Sequence, residues 1–99
     1  MSAATKHDLR RGEIVWVLKQ EYPNLITIRH LQLTLRDRNI PLGMRDLVSY
    51  LSYLEENGFI RCERLRDDDS GEQKIIAASL TARGLLLVDG KIEDAGVRL

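Results

Sequence analysis

The apolar residues in the first half of the chain recur at helical spacing in three segments. In residues 5–21 the apolar stripe consists of Leu9, Ile14, Val17 and Leu18. Thr27 predicts the N-cap of a second helix. A third helix is predicted over about residues 42–56, and its buried face consists of Leu47, Leu51 and Leu54. Gly58 supplies the left-handed residue that ends this helix.

The spacing changes after Gly58 from helical to alternating. Residues 59–66 and 73–80 have the alternation or β-branching of two strands, and a polar turn joins them. Thr81 predicts the cap of a short helix over residues 82–88. We therefore predict an α+β fold of three helices, a two-stranded hairpin and a short C-terminal helix. Residues 1–90 form the predicted domain, and residues 91–99 are expected to be an extended tail or an arm that docks elsewhere.

Two short motifs give this order of elements a family resemblance. The first joins the third helix to the first strand and consists of Leu51, Leu54, Glu55, Gly58, Phe59 and Ile60. The second follows the second strand and consists of Leu80, Thr81 and Gly84. With both motifs, about residues 27–88 resemble winged helix-turn-helix transcription regulators of the MarR, PadR and ArsR kind. The resemblance implies a winged helix-turn-helix fold, with the hairpin as the wing, and a DNA-binding regulator as the function.

A narrower resemblance concerns the length of the chain and two longer stretches. The sequence RDLVSYLSYLEENGFI, followed later by LTARG and DGKIEDAGV, is similar to small winged-helix proteins of Mu-like phages and prophages. This resemblance implies a phage or prophage context, and it implies no settled biochemistry.

The charge of the chain gives no general support to DNA binding. The 99 residues include 15 Lys and Arg and 15 Asp and Glu, so the formal net charge is zero. Nucleic-acid-binding domains usually carry a basic excess, because neutralisation of phosphates supplies most of their affinity. A DNA-binding face of this chain must therefore come from local clustering of basic residues.

Other functional classes lack their signatures in the sequence. The chain has one cysteine, Cys62, and two histidines, His7 and His30, so we expect no disulfide, metal or other cofactor. A nucleophile paired with a base and a Gly-rich phosphate loop are both missing, and we therefore expect no enzymatic activity. The start has no apolar signal region, and no apolar run approaches the length of a membrane span. A cytoplasmic location is the expectation.

The candidate DNA-binding residues follow from the resemblance to winged helices. It implies that the third helix enters the major groove, where the matching positions are Arg45, Ser49, Ser52 and, at the edge, Tyr53. The second helix would cross the DNA backbone, with phosphate contacts from Arg29, Arg36 and Arg38. On the first strand of the hairpin, Arg64 is a further candidate. The alternative for both helices is a solvated face that carries ordinary solubility charges.

The tip of the hairpin is acidic, which opposes the usual contact of a wing with DNA. Its carboxylates are Asp67, Asp68, Asp69 and Glu72. Such a tip would be repelled by phosphate, so the wing points away from DNA, docks by its basic strand only, or pairs its acids with the strand arginines. An alternative function is therefore a protein-interaction winged helix, for example an accessory component of phage packaging or assembly. A homodimer is also expected, since the last helix clusters Leu85, Leu86, Leu87 and Val88.

Overall fold

Four helices and a three-stranded antiparallel sheet make up residues 5–99, the part of the chain that the computed structural model describes. The helices are α1 (Lys6–Gln20), α2 (Ile28–Asp37), α3 (Met44–Glu56) and α4 (Ala82–Val88). The strands are β1 (Ile26–Thr27), β2 (Ile60–Arg66) and β3 (Gln73–Leu80). The predicted α+β class and the order of helices, hairpin and helix are confirmed. The first four residues of the predicted domain lie outside the described residues.

The predicted ends of the helices are confirmed by their hydrogen bonds. The Thr27 hydroxyl accepts from the backbone N–H of His30, which caps α2, and the Thr81 hydroxyl caps α4 in the same way. Gly58 follows α3 with φ +78°, a left-handed conformation that glycine adopts without strain. These local signals fix where α3 ends and where β2 begins.

The short strand β1 is an addition to the predicted two-stranded hairpin. Ile26 and Thr27 pair with Ala78 and Ala77 of β3, so the strand order is β1-β3-β2. Two residues are too few to show an alternating pattern, which is why the sequence gives no sign of this strand. Because Thr27 also caps α2, the pairing attaches the start of α2 to the sheet.

The hydrophobic core forms where α1 and α3 meet the inner face of the sheet. Its largest fully buried side chains include Phe59, Ile14, Leu18, Leu47, Leu51 and Leu54. The expectation that Leu9 shares this core is wrong, because Leu9 is 51% exposed. Leu9 precedes the buried Leu18 by two and a half helical turns, since a turn takes about 3.6 residues. The two side chains therefore lie on opposite sides of α1.

Residues 91–99 dock onto α1 and α3. Val97 belongs to the core, and the backbone N–H of Arg98 donates to the carbonyl of Asp8 at 3.0 Å. A Cβ placed on Gly12 would lie 1.7 Å from the carbonyl oxygen of Arg98, so only glycine fits where the tail crosses α1.

Candidate nucleic-acid interface

The outer face of α3 carries three predicted contact residues whose side chains have no partner. Arg45 and Ser49 are exposed and Ser52 is half-buried. Within residues 5–99, none of the three forms an ion pair or a side-chain hydrogen bond. The opposite face of α3 is anchored in the core and consists of Leu47, Tyr50, Leu51 and Leu54. The helix therefore presents a firmly held polar face whose donors and acceptors are available.

Two of the predicted phosphate contacts on α2 are equally available. Arg29 and Arg36 are exposed, and neither pairs with a carboxylate among the described residues. The inner face of α2 is held in the core by Ile28, Leu31 and Leu35. The guanidinium groups of Arg29 and Arg36 can therefore reach an anion outside the protein without breaking an internal contact.

The third predicted phosphate contact, Arg38, is already paired with a carboxylate. Its Nε donates to Oε2 of Glu13 at 2.9 Å, and its Nη2 lies 2.7 Å from the same oxygen. The guanidinium also lies 4.3 Å from the ring centre of Trp16, a cation–π contact. Both partners belong to α1, so Arg38 fastens the end of α2 to that helix.

Arg64, the predicted contact on the wing, is held by Glu55 at the end of α3. Its Nη1 donates to Oε2 of Glu55 at 3.0 Å, and its Nη2 donates to Oε1. Glu55 also accepts the backbone N–H of Cys62 at 3.2 Å. The hydrogen bond from Arg64 is the main cause that lowers the pKa of Glu55. The guanidinium is thus committed within the protein.

Tyr53 is likewise engaged, on the edge of α3 where the tail docks. Its hydroxyl donates to Oδ2 of Asp94 at 2.7 Å, and the guanidinium of Arg11 lies 4.1 Å from the centre of its ring. The hydrogen bond to Asp94 raises the pKa of Tyr53. The tail therefore occupies the edge of α3 that the sequence assigned to base contacts.

The hairpin combines its acidic tip with exposed apolar side chains. Leu65 is 64% exposed and Ile76 is 44% exposed, and both line one open depression with Asp67, Asp68, Asp69 and Lys74. Within the described chain no tip carboxylate lies at ion-pair distance from a strand arginine. The possibility that these acids neutralise the strand arginines is therefore wrong, because the carboxylate that binds Arg64 comes from α3.

Cys62 has the buried position that its alternation with Ile60 predicts. It is 9% exposed, and burial raises the pKa of its thiol to about 11. Such a thiol is a packing residue at neutral pH. In residues 5–99 no group of three His, Cys, Asp or Glu side chains is placed to hold a metal ion. In the same range no helix is both long and apolar enough to span a membrane.

Comparison with known proteins supports the fold. No family model and no curated protein matches the sequence. A candidate transcriptional regulator from Thermoplasma acidophilum is similar in structure, with a TM-score of 0.65 and 19% identity over 87% of this chain and 81% of that one. A PadR-like transcription factor from Bacteroides fragilis has a TM-score of 0.60 and 13% identity over 83% and 79% of the two chains. The chain therefore has the winged-helix fold of PadR-like proteins.

Proposed function

We propose that this chain binds double-stranded DNA and regulates transcription, with α3 in the major groove. The observation that carries the proposal is the outer face of α3, where Arg45, Ser49 and Ser52 have no side-chain partner within the described part of the chain. The similarity of the fold to a PadR-like transcription factor and to a candidate transcriptional regulator supports the same function.

The dimensions and chemistry of α3 suit a major-groove contact. A helix of 13 residues is about 20 Å long, and the major groove of B-DNA is wide enough for an α-helix. Arg45 can donate two hydrogen bonds to a guanine, whereas Ser49 and Ser52 can contact either kind of base. Arg29 and Arg36 on α2 contact phosphates and set the position of α3.

The three occupied residues support the interface rather than form it. Arg38 fixes the end of α2 on α1, Arg64 fixes the wing on α3, and Tyr53 fixes the tail on α3. Moving any of them to DNA would break an internal hydrogen bond that involves a charged group, which at these partly exposed positions stabilises the protein by about 1 kcal/mol. We therefore assign the direct contacts to the residues whose side chains are unpartnered.

A second copy of the chain would supply phosphate contacts that one neutral protomer lacks. A symmetric dimer would place two α3 helices in successive major grooves of a two-fold symmetric site. On α4, Leu87 is buried in the core and Leu86 is 46% exposed. We propose Leu86 as part of the dimer contact. The similarity to phage proteins stays a prediction from the sequence.

DNA titrations at several salt concentrations test the proposal. Binding should weaken steeply between about 50 and 200 mM salt, because phosphate contacts release counterions. Arg45→Ala should relax the sequence preference, whereas Arg36→Ala should weaken binding to all sequences alike. Lys91→Ala, which removes an exposed cation that follows α4 in the sequence, is the matched control. A wild-type protein that binds no duplex even at low salt would contradict the proposal.

The hairpin favours one second candidate, a protein-interaction module. Leu65 and Ile76 are exposed beside an acidic tip, and that pattern suits a basic partner segment with an apolar side chain. In this function the chain could be an accessory assembly component of a phage. Leu65→Ser with Ile76→Ser should abolish capture of such a partner and leave duplex binding unchanged. Loss of duplex binding in this variant would assign the hairpin to the DNA interface instead.

A further inference from the structure

Arg10 on α1 has donors that no residue of the described range 5–99 satisfies. Its Nε and Nη1 are both buried, and neither meets an acceptor among residues 5–99. The side chain is half-buried and lies against residues 40–42, which connect α2 to α3. A buried donor without an acceptor destabilises a protein, and native structures contain few of them. Arg10 therefore differs from Arg38 and Arg64, whose guanidinium groups are each held by a carboxylate.

A cleft lies between this arginine and the first half of α3. It has a volume of about 140 Å³, and its polar lining consists of Lys6, His7, Arg10, Asp46 and Tyr50. At His7 and Asp46 it continues into a second hollow that reaches Ser49 on the outer face of α3. The cleft thus adjoins the surface that we assign to the major groove.

The chemistry of the cleft suits a small anion. Lys6 and Arg10 bring two cations, and Asp46 is the one acid among the lining residues. The backbone of α3 begins at Gly43 without a side-chain cap, so its first N–H groups and the positive end of its dipole are available beside the cleft. The imidazole of His7 is held in place, since its Nδ1 lies 2.6 Å from the Tyr50 hydroxyl.

We propose that this cleft binds one phosphate of the DNA backbone, with Lys6 and Arg10 as its ligands. The proposal rests on the proposed function and adds a contact from α1 that flanks the groove entered by α3. Because Nε and Nη1 of Arg10 are closed to solvent, the guanidinium must turn toward the cleft before the phosphate can accept from it. The carboxylate of Asp46 lines the same cleft and repels the anion, which keeps the affinity of the site moderate.

The salt dependence of duplex binding tests this assignment. Each neutralised phosphate contributes about 0.9 to the slope of log K against log salt, so Arg10→Gln should reduce the magnitude of the slope by about 1. Lys6→Gln should also reduce it, and Lys6 is exposed, so this variant removes no buried contact. Asp46→Asn should tighten binding. The control Lys91→Gln should leave the slope unchanged. If Arg10→Gln and Lys6→Gln both match Lys91→Gln, the proposal is wrong, whereas the proposed function stands as long as the wild-type protein binds duplex.

A titration with inorganic phosphate alone separates this site from the DNA-binding function. The Nε–Hε resonance of Arg10 should shift with saturation, and the shift should be lost in Lys6→Gln. The corresponding resonance of Arg38 serves as the internal control, because Glu13 already accepts its hydrogen bond. A shift of Arg10 that is linear in phosphate and equal to that of Arg38 would overturn the site. A chain that binds phosphate here but no duplex would contradict the proposed function and the DNA backbone as the source of the phosphate, and would leave the cleft as an anion site.

Discussion

Glu55 and Arg64 join the C-terminal end of α3 to the outer strand of the hairpin by two parallel hydrogen bonds. Glu55 accepts a third hydrogen bond from the backbone N–H of Cys62, a group on the free edge of the sheet. One carboxylate therefore accepts from a backbone N–H at the edge of the sheet and also binds an arginine that would otherwise be free to contact phosphate. The position of the wing relative to α3 depends on this contact.

Glu55→Gln should lower the free energy of unfolding by about 1 kcal/mol at neutral pH, because the amide still accepts from Cys62 but loses the ion pair. Chemical denaturation measures the change. The pKa of Glu55 is lowered from its ordinary value of 4.5 in the folded protein, so its contribution is present above that value and is lost as the pH falls below it. The difference between wild type and Glu55→Gln should therefore shrink in acid, and an equal difference at all pH values would contradict this role.

Arg38→Gln should reduce stability and leave duplex binding nearly unchanged. The substitution removes an ion pair to Glu13 and the contact with Trp16, which together are worth about 0.5–2 kcal/mol. Arg36→Gln, two residues before Arg38 in the last turn of α2, should do the reverse, since Arg36 is exposed and unpaired within the described chain. Thermal melts and duplex titrations of the two variants distinguish these roles. Equal losses of DNA affinity would mean that Arg38 leaves Glu13 in the complex.

Gly12→Ala should displace residues 91–99 from α1. The new Cβ would lie 1.7 Å from the carbonyl oxygen of Arg98. Overpacking costs about 1–3 kcal/mol, against about 1 kcal/mol that alanine gains over glycine inside a helix. Amide spectra should show large shifts at Val97 and Arg98. Gly43→Ala is the control, because no heavy atom lies within 4 Å of its added Cβ, and the tail resonances should not move.

Tyr53→Phe should loosen the tail without disturbing α3. The substitution removes the hydroxyl that donates to Asp94 and keeps the ring that contacts Arg11, at an expected cost of about 1 kcal/mol. Hydrogen exchange at the Val97 amide, which donates to the Asp94 carbonyl, should become faster. Tyr22→Phe is the matched control, since Tyr22 is exposed. Unchanged exchange at Val97 in the Tyr53 variant would show that the hydroxyl does not hold the tail.

Local signals in the sequence were sufficient to predict the four helices and the two strands of the hairpin, although not the two-residue strand β1. The caps Thr27 and Thr81 and the turn residue Gly58 have short-range physical causes, and the structure has each of them where the sequence places it. The prediction that Leu9 lies on the buried face of α1 was wrong. The apolar spacing of α1 is irregular, and two and a half turns separate Leu9 from the buried Leu18.

The candidate interface was less predictable because its chemistry depends on contacts between distant residues. Arg36 and Arg38 look alike in the sequence, yet among residues 5–99 only Arg38 pairs with an acid, and that acid belongs to α1. Arg64 and Glu55 are nine residues apart across a turn, and no local periodicity pairs a helix end with a strand. Nε and Nη1 of Arg10 have no acceptor in the described chain because the α2–α3 connection packs against this side chain, and the sequence does not indicate that contact.

The burial of Cys62 makes the hairpin accessible to a kinetic experiment. Cys62 is the single cysteine of the chain, and with a pKa of about 11 its reactive thiolate is scarce at neutral pH. A thiol reagent can modify it at an appreciable rate only when the hairpin separates from the end of α3. The rate of thiol modification therefore measures how often the hairpin opens in the native protein, and no probe has to be introduced. A ligand that holds the hairpin against α3 will lower this rate.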